Sequence, residues 1–406
     1  MRPNYVYLAI PWLACLVACF VVNVFYFPHA TVFPDEQRFM ASAVKLAGTG
    51  QFWVGDDRSW EMPGTALFFA PMVRLFGADV LPIRFAQSLL VVVQSGLVAL
   101  TAQRIFGNSL AALIAASLAA LYPYSLFYQG LMLSETLFTT LLLASVAALY
   151  WWRARGLRLD WPLVVVCLCF AAATLTKATL TILPPLLIAA TAIVGGASLR
   201  RAFTILVTAT CLYGAFLSPW WIRNAVILAT FVPFTTGSAQ NLYLGNNPNN
   251  PEAGIDWSTN ADTALVTKLL AMPNEVERQA AFSQAAIAYI KDNPAAFVRG
   301  SVKKFVRFWN PVSNAPEFRT GIYGVVSAAS FAPVLALALI CAVRWRRQWR
   351  LLAPIYLIVG YFTFVHVVTI ASLRYRLPIE PLLILLAAEP LAALIERIRA
   401  RTARPA

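Results

Sequence analysis

The sequence predicts an all-α polytopic membrane protein, a bundle of about ten transmembrane helices. Of its 406 residues, 60% are hydrophobic and only 12% are charged, against roughly 25% charged residues in a soluble globular protein. The uncharged runs are long enough to cross a bilayer, which takes about 20 apolar residues. Short basic links separate these runs. A water-soluble globule, a disordered chain and a secreted disulfide scaffold are therefore excluded.

The candidate spans set the predicted topology. We place them at about 5–27, 80–103, 109–128, 133–152, 161–176, 178–196, 202–222, 320–343, 351–371 and 377–396. If both termini are cytoplasmic, the links on that side carry most of the arginines, among them Arg104, Arg153, Arg200 and Arg344. This positive-inside pattern explains most of the excess of 32 Lys and Arg over 18 Asp and Glu. It gives no reason to expect a nucleic-acid partner.

Two long segments fall on the predicted outer side and divide the chain. Residues 1–222 form an N-terminal membrane module that contains the first outer loop, 28–79. Residues 223–319 form a large outer loop, in which a Gly/Asn/Pro-rich turn at 245–251 precedes helical patterning at about 262–292 that predicts a small helical cap. Residues 320–406 form the last spans and a basic cytoplasmic tail. Because the cytoplasmic links are short, we expect the polar chemistry on the outer side.

The first outer loop predicts two helices that lie at the membrane surface. Pro34 begins the first, and apolar residues at helical spacing continue until the glycine at 50. The apolar stretch from Met62 to Phe76 is about 15 residues long, too short to cross a bilayer. We interpret it as an interfacial or re-entrant helix.

The outer carboxylates are the first candidates for chemistry. Asp35 and Glu36 follow Pro34 directly, and paired acids act as a general base, as metal ligands, or as a helix cap. Glu61 lies at the end of the same loop. Glu135 lies at the outer end of a span, where a carboxylate either has a function or pairs with a cation.

Basic residues on the same side are candidates for binding a phosphate. They are Lys177 in the link between two spans, Arg374 and Arg376 before the last span, Arg223 at the start of the large loop, and Arg58 in the first loop. Arg and Lys side chains at a membrane surface bind lipid phosphates. The alternatives are snorkelling and salt bridges to Glu135, Glu380 or Asp35.

Other catalytic patterns are missing from the sequence. With only His29 and His366, there is no histidine metal triad, no HExxH motif, no serine nucleophile elbow with a paired histidine, and no P-loop. The six cysteines fall inside apolar runs and show no zinc spacing, so we interpret them as small buried hydrophobes.

Short motifs along the chain resemble the GT-C superfamily of polyprenyl-phosphate-sugar glycosyltransferases. The similar branch contains the protein O-mannosyltransferases and the lipid A aminoarabinose transferase. The motifs are Pro34-Asp35-Glu36-Gln37-Arg38, Glu61-Met62-Pro63-Gly64, Arg84-Phe85-Ala86-Gln87, Ser134-Glu135-Thr136-Leu137, Leu175-Thr176-Lys177, Arg223-Asn224, Asn241-Leu242-Tyr243-Leu244-Gly245-Asn246-Asn247-Pro248, Phe308-Trp309-Asn310-Pro311 and Arg374-Tyr375-Arg376-Leu377-Pro378. Each motif is short, but their order and spacing cover nearly the whole chain.

The resemblance implies an inverting transfer of a sugar from a polyprenyl-phosphate donor to an acceptor hydroxyl on the outer face. The acceptor would be a lipid-linked glycan, a lipid or a protein. Asp35 matches the catalytic carboxylate of the family, with Glu36 beside it. The implied substrate-binding residues are Arg58, Glu61, Glu135, Lys177, Arg223, Asn246, Arg374, Tyr375 and Arg376.

One position departs from the family pattern. The aminoarabinose transferase has a lysine where this chain has Met62, and that lysine is expected to contact the lipid phosphate. Lys177 is the obvious replacement here. Glu36 and Glu61 are candidate ligands for a divalent metal, since related enzymes differ in metal dependence, and the cofactor stays unassigned.

Two rival functions use the same topology. An O-antigen ligase or polymerase would take a lipid diphosphate donor, and a transporter would move a lipid-linked sugar without converting it. The ligase reading is disfavoured because His29 is the sole histidine of the two large outer loops. A transporter is disfavoured because the sequence shows neither an internal repeat nor acidic residues within the spans. Short loops suggest a bacterial inner membrane.

Overall fold

The structure is a computed structural model, and it describes residues 8–313 and 318–402. Within these residues the chain is helical and contains no strand, only an isolated β-bridge between Val54 and Asp57. The predicted all-α fold is confirmed. The first three residues of the predicted span 5–27 lie outside the described part.

Ten helices build the first half of the chain. In order they are α1 (Ala9–Val21), α2 (Pro34–Thr49), α3 (Gly64–Phe76), α4 (Val80–Phe106), α5 (Ser109–Ala120), α6 (Pro123–Gln129), α7 (Ser134–Ala154), α8 (Trp161–Thr176), α9 (Leu183–Val194) and α10 (Leu199–Leu228). A π-helical turn, Val22–Tyr26, extends α1.

Nine further helices complete the described chain. They are α11 (Ser238–Gly245), α12 (Trp257–Asn260), α13 (Thr263–Leu270), α14 (Glu275–Asp292), α15 (Pro294–Trp309), α16 (Gly321–Arg344), α17 (Trp349–Val368), α18 (Leu373–Arg376) and α19 (Glu380–Thr402). The helical pattern predicted at 262–292 is confirmed by α13 and α14.

Seven helical segments of the described chain are long and apolar enough to cross a membrane, and an eighth is formed if α5 and α6, bent by 46°, are one span. The other two predicted spans correspond to α8 and α9, which have 16 and 12 residues. At 1.5 Å per residue, α8 is about 24 Å long, shorter than the roughly 30 Å of a bilayer core. A 3₁₀ turn, Ala178–Leu180, joins this hairpin, and Lys177 precedes it.

Helices α7 and α19 lie at the centre of the bundle. In its most apolar stretch, α7 has 67% of its residues buried, and the segment Leu373–Thr402 has 72%, against 22% for α1. Both contribute to the main hydrophobic core, together with α4, α8 and α17. The starts of these two central segments carry Glu135 and Arg374. The two most buried spans of the described chain therefore position both side chains.

The first outer loop forms the two predicted helices, α2 and α3, which pack against each other. Helix α2 begins at Pro34 and ends at Thr49, where Gly50 adopts a φ of 71°. Glycine accepts this left-handed conformation without strain. The apolar face of α2 packs on α3 through Phe39, Ala43 and Phe69. Helix α3 has 13 residues, in agreement with a helix too short to cross.

Helices α11 to α15 form the large outer segment. Tyr243, Leu244, Phe282 and Ala286 build a hydrophobic cluster between α11 and α14. In the predicted turn, Asn247 donates through Nδ2 to the carbonyl oxygens of Tyr243 and Leu244, at 3.0 Å each. Such side-chain hydrogen bonds stabilise a turn that lacks the regular backbone hydrogen bonds of a helix or sheet.

Gly64→Ala tests the close packing of α3 against the end of α8. A Cβ at Gly64 would lie 2.5 Å from Thr176 Oγ1 and 2.8 Å from Leu175 O. We expect this overpacking to lower the free energy of unfolding by about 1–3 kcal/mol. Thermal unfolding in detergent, followed by tryptophan fluorescence, measures the change.

Gly48→Ala is the matched control, because it lies inside α2 and a Cβ there would meet nothing within 4 Å. Its melting temperature should be unchanged or higher. The higher helix propensity of alanine can add up to about 1 kcal/mol to the free energy of unfolding. Equal melting temperatures for the two variants would contradict the packing of α3 on α8.

Candidate active site

Three carboxylates and three cations meet at one end of the central helices. They come from α2, the loop before α3, the start of α7, the α8–α9 hairpin and α18. The members of this charge cluster are Asp35, Arg38, Glu61, Glu135, Lys177 and Arg374. Five of them were predicted as site residues from the sequence, and Arg38 was not.

Arg374 joins the two sides of the charge cluster. Its Nε lies 2.6 Å from Glu135 Oε1, and its Nη2 lies 3.3 Å from Glu135 Oε2. Its Nη1 donates to Asp35 Oδ2 at 2.5 Å. The planar guanidinium can make all these bonds at once, which an ammonium group cannot do in the same geometry. Arg374 therefore links α2 to α7.

Glu135 is the most deeply buried acid of the charge cluster. Its side chain has 0% exposure, and Lys177 Nζ donates to its Oε1 at 2.8 Å. It lies in the first turn of α7, where the helix dipole also favours a negative charge. A buried carboxylate is stable only when it is paired and hydrogen-bonded. Lys177 and Arg374 provide this pairing.

Asp35 is the acid of the charge cluster that faces solvent, with 31% of its side chain exposed. Arg38 Nη2 lies 3.0 Å from Asp35 Oδ1 and 2.6 Å from Glu61 Oε1. Arg38 belongs to the motif that begins at Pro34, and its spacing from Asp35 could have indicated their contact, since residues three apart on a helix are neighbours. The sequence gives no comparable signal for the contact between Arg38 and Glu61.

The two carboxyls that the first outer loop contributes to the charge cluster, Asp35 and Glu61, differ in their acidity. Burial raises the pKa of Asp35, but the guanidinium groups of Arg374 and Arg38 lower it by more, so that this pKa lies below its ordinary value. Burial raises the pKa of Glu61, and the attraction of Arg38 does not offset the increase. Asp35 is therefore ionised at neutral pH, and Glu61 protonates more readily.

Tyr375 lies beside the charge cluster. Its ring stacks on His366, with centroids 4.8 Å apart, and Lys177 Nζ lies 5.4 Å from the Tyr375 ring centroid. The stacking fixes the ring orientation next to Lys177. Tyr375 is thus placed as a wall of the site.

Glu36 points away from the charge cluster despite following Asp35. It is fully buried, and its Oε2 accepts the backbone N–H groups of Val32 and Phe33 at 2.8 and 2.9 Å. Its Oε1 accepts the N–H of Met132 at 2.9 Å. Glu36 thereby caps α2 and fixes the segment before α7. This is the cap alternative that the sequence left open.

Arg376 is also separate from the charge cluster. It is fully buried, with Nε 2.6 Å from Glu380 Oε1, and its Nη1 donates to the carbonyl oxygens of Phe308 and Asn310. Residues two apart on a helix do not face the same side. Arg374 and Arg376 therefore point to different neighbours, although the sequence grouped them.

Three more predicted site residues, Asn246, Arg223 and Arg58, contact residues outside the charge cluster. Asn246 is buried and accepts from Lys304 Nζ at 3.1 Å. Arg223 donates to the carbonyl oxygens of Arg58 and Phe52, at 2.7 and 2.6 Å. These contacts lie outside the charge cluster. They join the outer segments to each other and to α10.

The described residues contain no group of three or more His, Cys, Asp and Glu side chains that could hold a metal ion. Both oxygens of Glu36 already accept backbone N–H groups, so it could bind a metal only by losing them. Glu61 Oε1 is bonded to Arg38. In this arrangement the two metal candidates do not fit a divalent cation.

Part of the chain matches a family model. The family is that of dolichyl-phosphate-mannose-protein mannosyltransferases, and the match covers residues 61–223. Glu61, Glu135 and Lys177 lie inside this range, and Asp35 and Arg374 lie outside it. No curated protein matches the chain by sequence.

Solved membrane proteins show a similar fold. The archaeal oligosaccharyltransferase AglB from Archaeoglobus fulgidus, in complex with an inhibitory peptide and a dolichol-phosphate, aligns with a TM-score of 0.60 and 13% identity over 99% of this chain and 52% of AglB. A complex of the Archaeoglobus fulgidus oligosaccharyltransferase with Zn and sulfate has a TM-score of 0.58 and 12% identity over 97% of this chain and 50% of that chain. ArnT from Cupriavidus metallidurans bound to undecaprenyl phosphate aligns at 17% identity over 93% of this chain and 78% of ArnT, with a TM-score of 0.48.

The alignments with AglB show that the chain shares the helical membrane fold of AglB, which agrees with the fold that the resemblance in the sequence implies. The chain spans about half the length of the AglB chains. At these identities the comparison establishes the fold of the helices and not the substrate.

Arg374→Ala tests the central position of Arg374. The change leaves the buried Glu135 with Lys177 as its remaining cation and removes the link to Asp35. We expect the free energy of unfolding to fall by about 1–3 kcal/mol, the cost of a poorly satisfied buried group. Thermal unfolding in detergent is the measurement.

Arg347→Ala is its control, because Arg347 is exposed in the 3₁₀ link Arg346–Gln348. An exposed substitution of this kind is expected to stay within about 0.5 kcal/mol of the unchanged protein. Equal loss in both variants would mean that Arg374 has no special role in the fold.

Proposed function

We propose that the protein is a membrane glycosyltransferase. It transfers a sugar from a polyprenyl-phosphate donor to an acceptor hydroxyl at the outer face of a bacterial inner membrane, with both termini in the cytoplasm. The family match over 61–223 and the GT-C fold support this function. The AglB structure that aligns over almost the whole chain holds a dolichol-phosphate. Both outer segments, 28–79 and 223–319, would recognise the acceptor.

The observation that carries the proposal is the geometry of Asp35. It is a half-exposed carboxylate, held in the ionised form by Arg374 and Arg38, at the edge of a cluster whose other acids are more buried. A general base must be accessible to the acceptor and deprotonated at the working pH. Among the three acids of the charge cluster, Asp35 combines both properties.

The reaction then follows from the position of Asp35. The acceptor hydroxyl donates a hydrogen bond to the carboxylate, and its oxygen attacks the anomeric carbon from the face opposite the phosphate. The carbon–oxygen bond to the phosphate breaks as the new bond forms, so the anomeric configuration inverts. Asp35 takes the hydroxyl proton, and the electron pair leaves with the polyprenyl phosphate. The enzyme mainly positions the groups and stabilises the developing charge.

Lys177 and Arg374 are the cations that bind the donor phosphate in this mechanism. As the sugar leaves, the phosphate gains a negative charge, and both cations stabilise it. Arg374 is also bonded to Asp35. A phosphate that competes for Arg374 would weaken this bond and so raise the basicity of Asp35. Donor binding would thereby activate the base.

The other predicted residues take supporting roles. Tyr375 forms a wall of the donor pocket beside Lys177. Glu36 positions Asp35 by capping α2, and Arg223, Asn246 and Arg376 hold the outer segments around the site. We route no step through a metal, because the oxygens of Glu36 are already bonded and Glu61 is paired with Arg38.

Asp35→Asn is expected to abolish transfer while the protein still folds, because asparagine cannot accept the proton but keeps the shape of the side chain. The variant should also trap the donor. Purification in mild detergent and mass spectrometry of the bound lipids would then reveal a polyprenyl monophosphate carrying a sugar, whose mass identifies the sugar.

Asp79→Asn is the matched control, since Asp79 caps α4 and asparagine caps equally well. It should turn over its donor normally. Near-normal turnover of Asp35→Asn would eliminate the base assignment. A bound polyprenyl diphosphate oligosaccharide would instead indicate a ligase, and donor that is moved across the membrane without conversion would indicate a transporter.

Lys177→Ala should weaken donor affinity more than Asp35→Asn does, because Lys177 contacts the phosphate and Asp35 the reacting hydroxyl. We expect a loss of at least about tenfold, equivalent to about 1.4 kcal/mol. The amount of polyprenyl phosphate retained after purification measures it, with Lys268→Ala on the exposed face of α13 as control. Equal retention by Lys177→Ala and the unchanged protein would refute the assignment.

A further inference from the structure

A small hairpin in the first outer loop presents an aromatic ring and a cation on one face. Val54 and Asp57 exchange backbone hydrogen bonds of 2.8 and 3.0 Å, and Gly55 turns the chain with a φ of 61°. Trp53 and Arg58 form the next facing pair along the two arms. Facing residues on antiparallel arms project to the same side. The hairpin therefore places the Arg58 side chain against Trp53.

The backbone of this hairpin is held firmly from two directions. The N–H groups of Arg58 and Ser59 donate to the two carboxylate oxygens of Glu275, at 2.9 and 3.2 Å. Arg223 donates to the Arg58 carbonyl oxygen at 2.7 Å. Arg278 forms an ion pair with Asp57. These contacts use the backbone of Arg58 and Ser59 and the Asp57 carboxylate, and none of them uses the Arg58 guanidinium.

Two cations share the ring of Trp53. Arg58 Cζ lies 3.1 Å from the ring centroid and Lys45 Nζ lies 3.5 Å from it, so the two charged centres are no further apart than the sum of these two distances. Within residues 8–313 and 318–402, neither cation has an ion pair within 4.0 Å. Like charges at short range repel. An anion that contacts both would remove this repulsion.

Four nearby cations differ in this respect. Arg38, Lys177, Arg374 and Arg278 are each paired with a carboxylate. Arg223 instead donates to backbone carbonyl oxygens. Lys45 and Arg58 are half-buried. Positive charge that is preorganised and not already paired is suited to bind an anion.

The position of Lys45 relates this pair to the charge cluster. Lys45 follows Arg38 by seven residues, so both lie on the same face of α2, about 10 Å apart along the axis. We propose that Lys45, Trp53 and Arg58 form a second phosphate-binding site, which holds a phosphate group of the acceptor while its hydroxyl reaches Asp35. This inference rests on the proposed function. It adds that the acceptor is anionic, with its phosphate about 10–15 Å from the reacting hydroxyl.

The chemistry of the pair favours phosphate. Arg58 presents a planar fork that can bind two phosphate oxygens, and Lys45 adds a compact charge with three donors. Phospholipid headgroups offer the same group. Because α2 lies along the predicted membrane surface, the experiment has to distinguish a phosphate of the acceptor from a lipid headgroup.

Calorimetric titration of the full chain with inorganic pyrophosphate, in detergent at low salt, tests the site. The double variant Lys45→Gln/Arg58→Gln should bind pyrophosphate at least about tenfold more weakly, or should bind one pyrophosphate fewer per protein molecule. The control variant Lys268→Gln/Lys291→Gln removes the same charge from exposed positions of α13 and α14 and should change the affinity less than twofold. Unchanged affinity in the first variant would overturn the proposal.

Three further measurements separate the alternatives. Arg58→Lys keeps the charge and should retain most of the binding. If the two cations only brace Trp53, the double variant will lower the melting temperature without changing pyrophosphate affinity, which overturns the site. Phosphatidylglycerol in the micelles should not compete with pyrophosphate, and competition would assign the site to a lipid headgroup and refute the acceptor role.

The second site and the proposed function can fail separately. Lys177→Ala leaves Lys45 and Arg58 intact, so it should keep the pyrophosphate equivalent that they bind while losing polyprenyl phosphate. Loss of that equivalent in Lys177→Ala would show that pyrophosphate binds in the charge cluster, and would overturn the second site alone. Retention of the equivalent together with unchanged lipid binding would instead count against the donor assignment.

Discussion

The buried carboxylate of Glu135 is the constraint on which the rest of the site depends. It lies at the start of a central helix, away from solvent, and needs cations close by. Lys177 and Arg374 come from two other elements and converge on it. Because each cation satisfies Glu135, the ends of α7, α8 and α18 are held together. Arg374 then has a remaining face, which binds Asp35.

Contacts outside the charge cluster determine where Arg374 lies. Lys304 is buried in α15, and its Nζ lies within hydrogen-bond distance, 3.1 to 3.2 Å, of four acceptors for its three N–H donors: Gly245 O, Asn246 Oδ1, Val368 O and Thr369 O. Burial lowers the pKa of Lys304 to about 8. These bonds tie the outer segment to the end of α17, a few residues before Arg374. The backbone of Gly245 approaches Thr369 so closely that a Cβ would collide with its carbonyl oxygen.

The balance of charge in the cluster matters for the proposed chemistry. The three acids and three cations of the charge cluster nearly balance each other. A phosphate that arrives therefore exchanges partners within an existing network, and Arg374 is the partner shared between Asp35 and Glu135. The outer hairpin differs, because its two cations share an aromatic ring and have no carboxylate within ion-pair distance in the described chain. The two regions can thus receive different anionic groups.

The helical membrane fold, the two helices of the first outer loop and most members of the charge cluster could be predicted from the sequence. Hydrophobic runs and capping residues are local signals, and charged residues are conspicuous in so apolar a chain. The neighbours that each charge meets depend on how the helices pack. This packing turns Glu36 and Arg376 inward and brings Arg38 to Glu61. Partner choice depends on helix rotation and on contacts between distant segments, and residue spacing along one chain specifies neither.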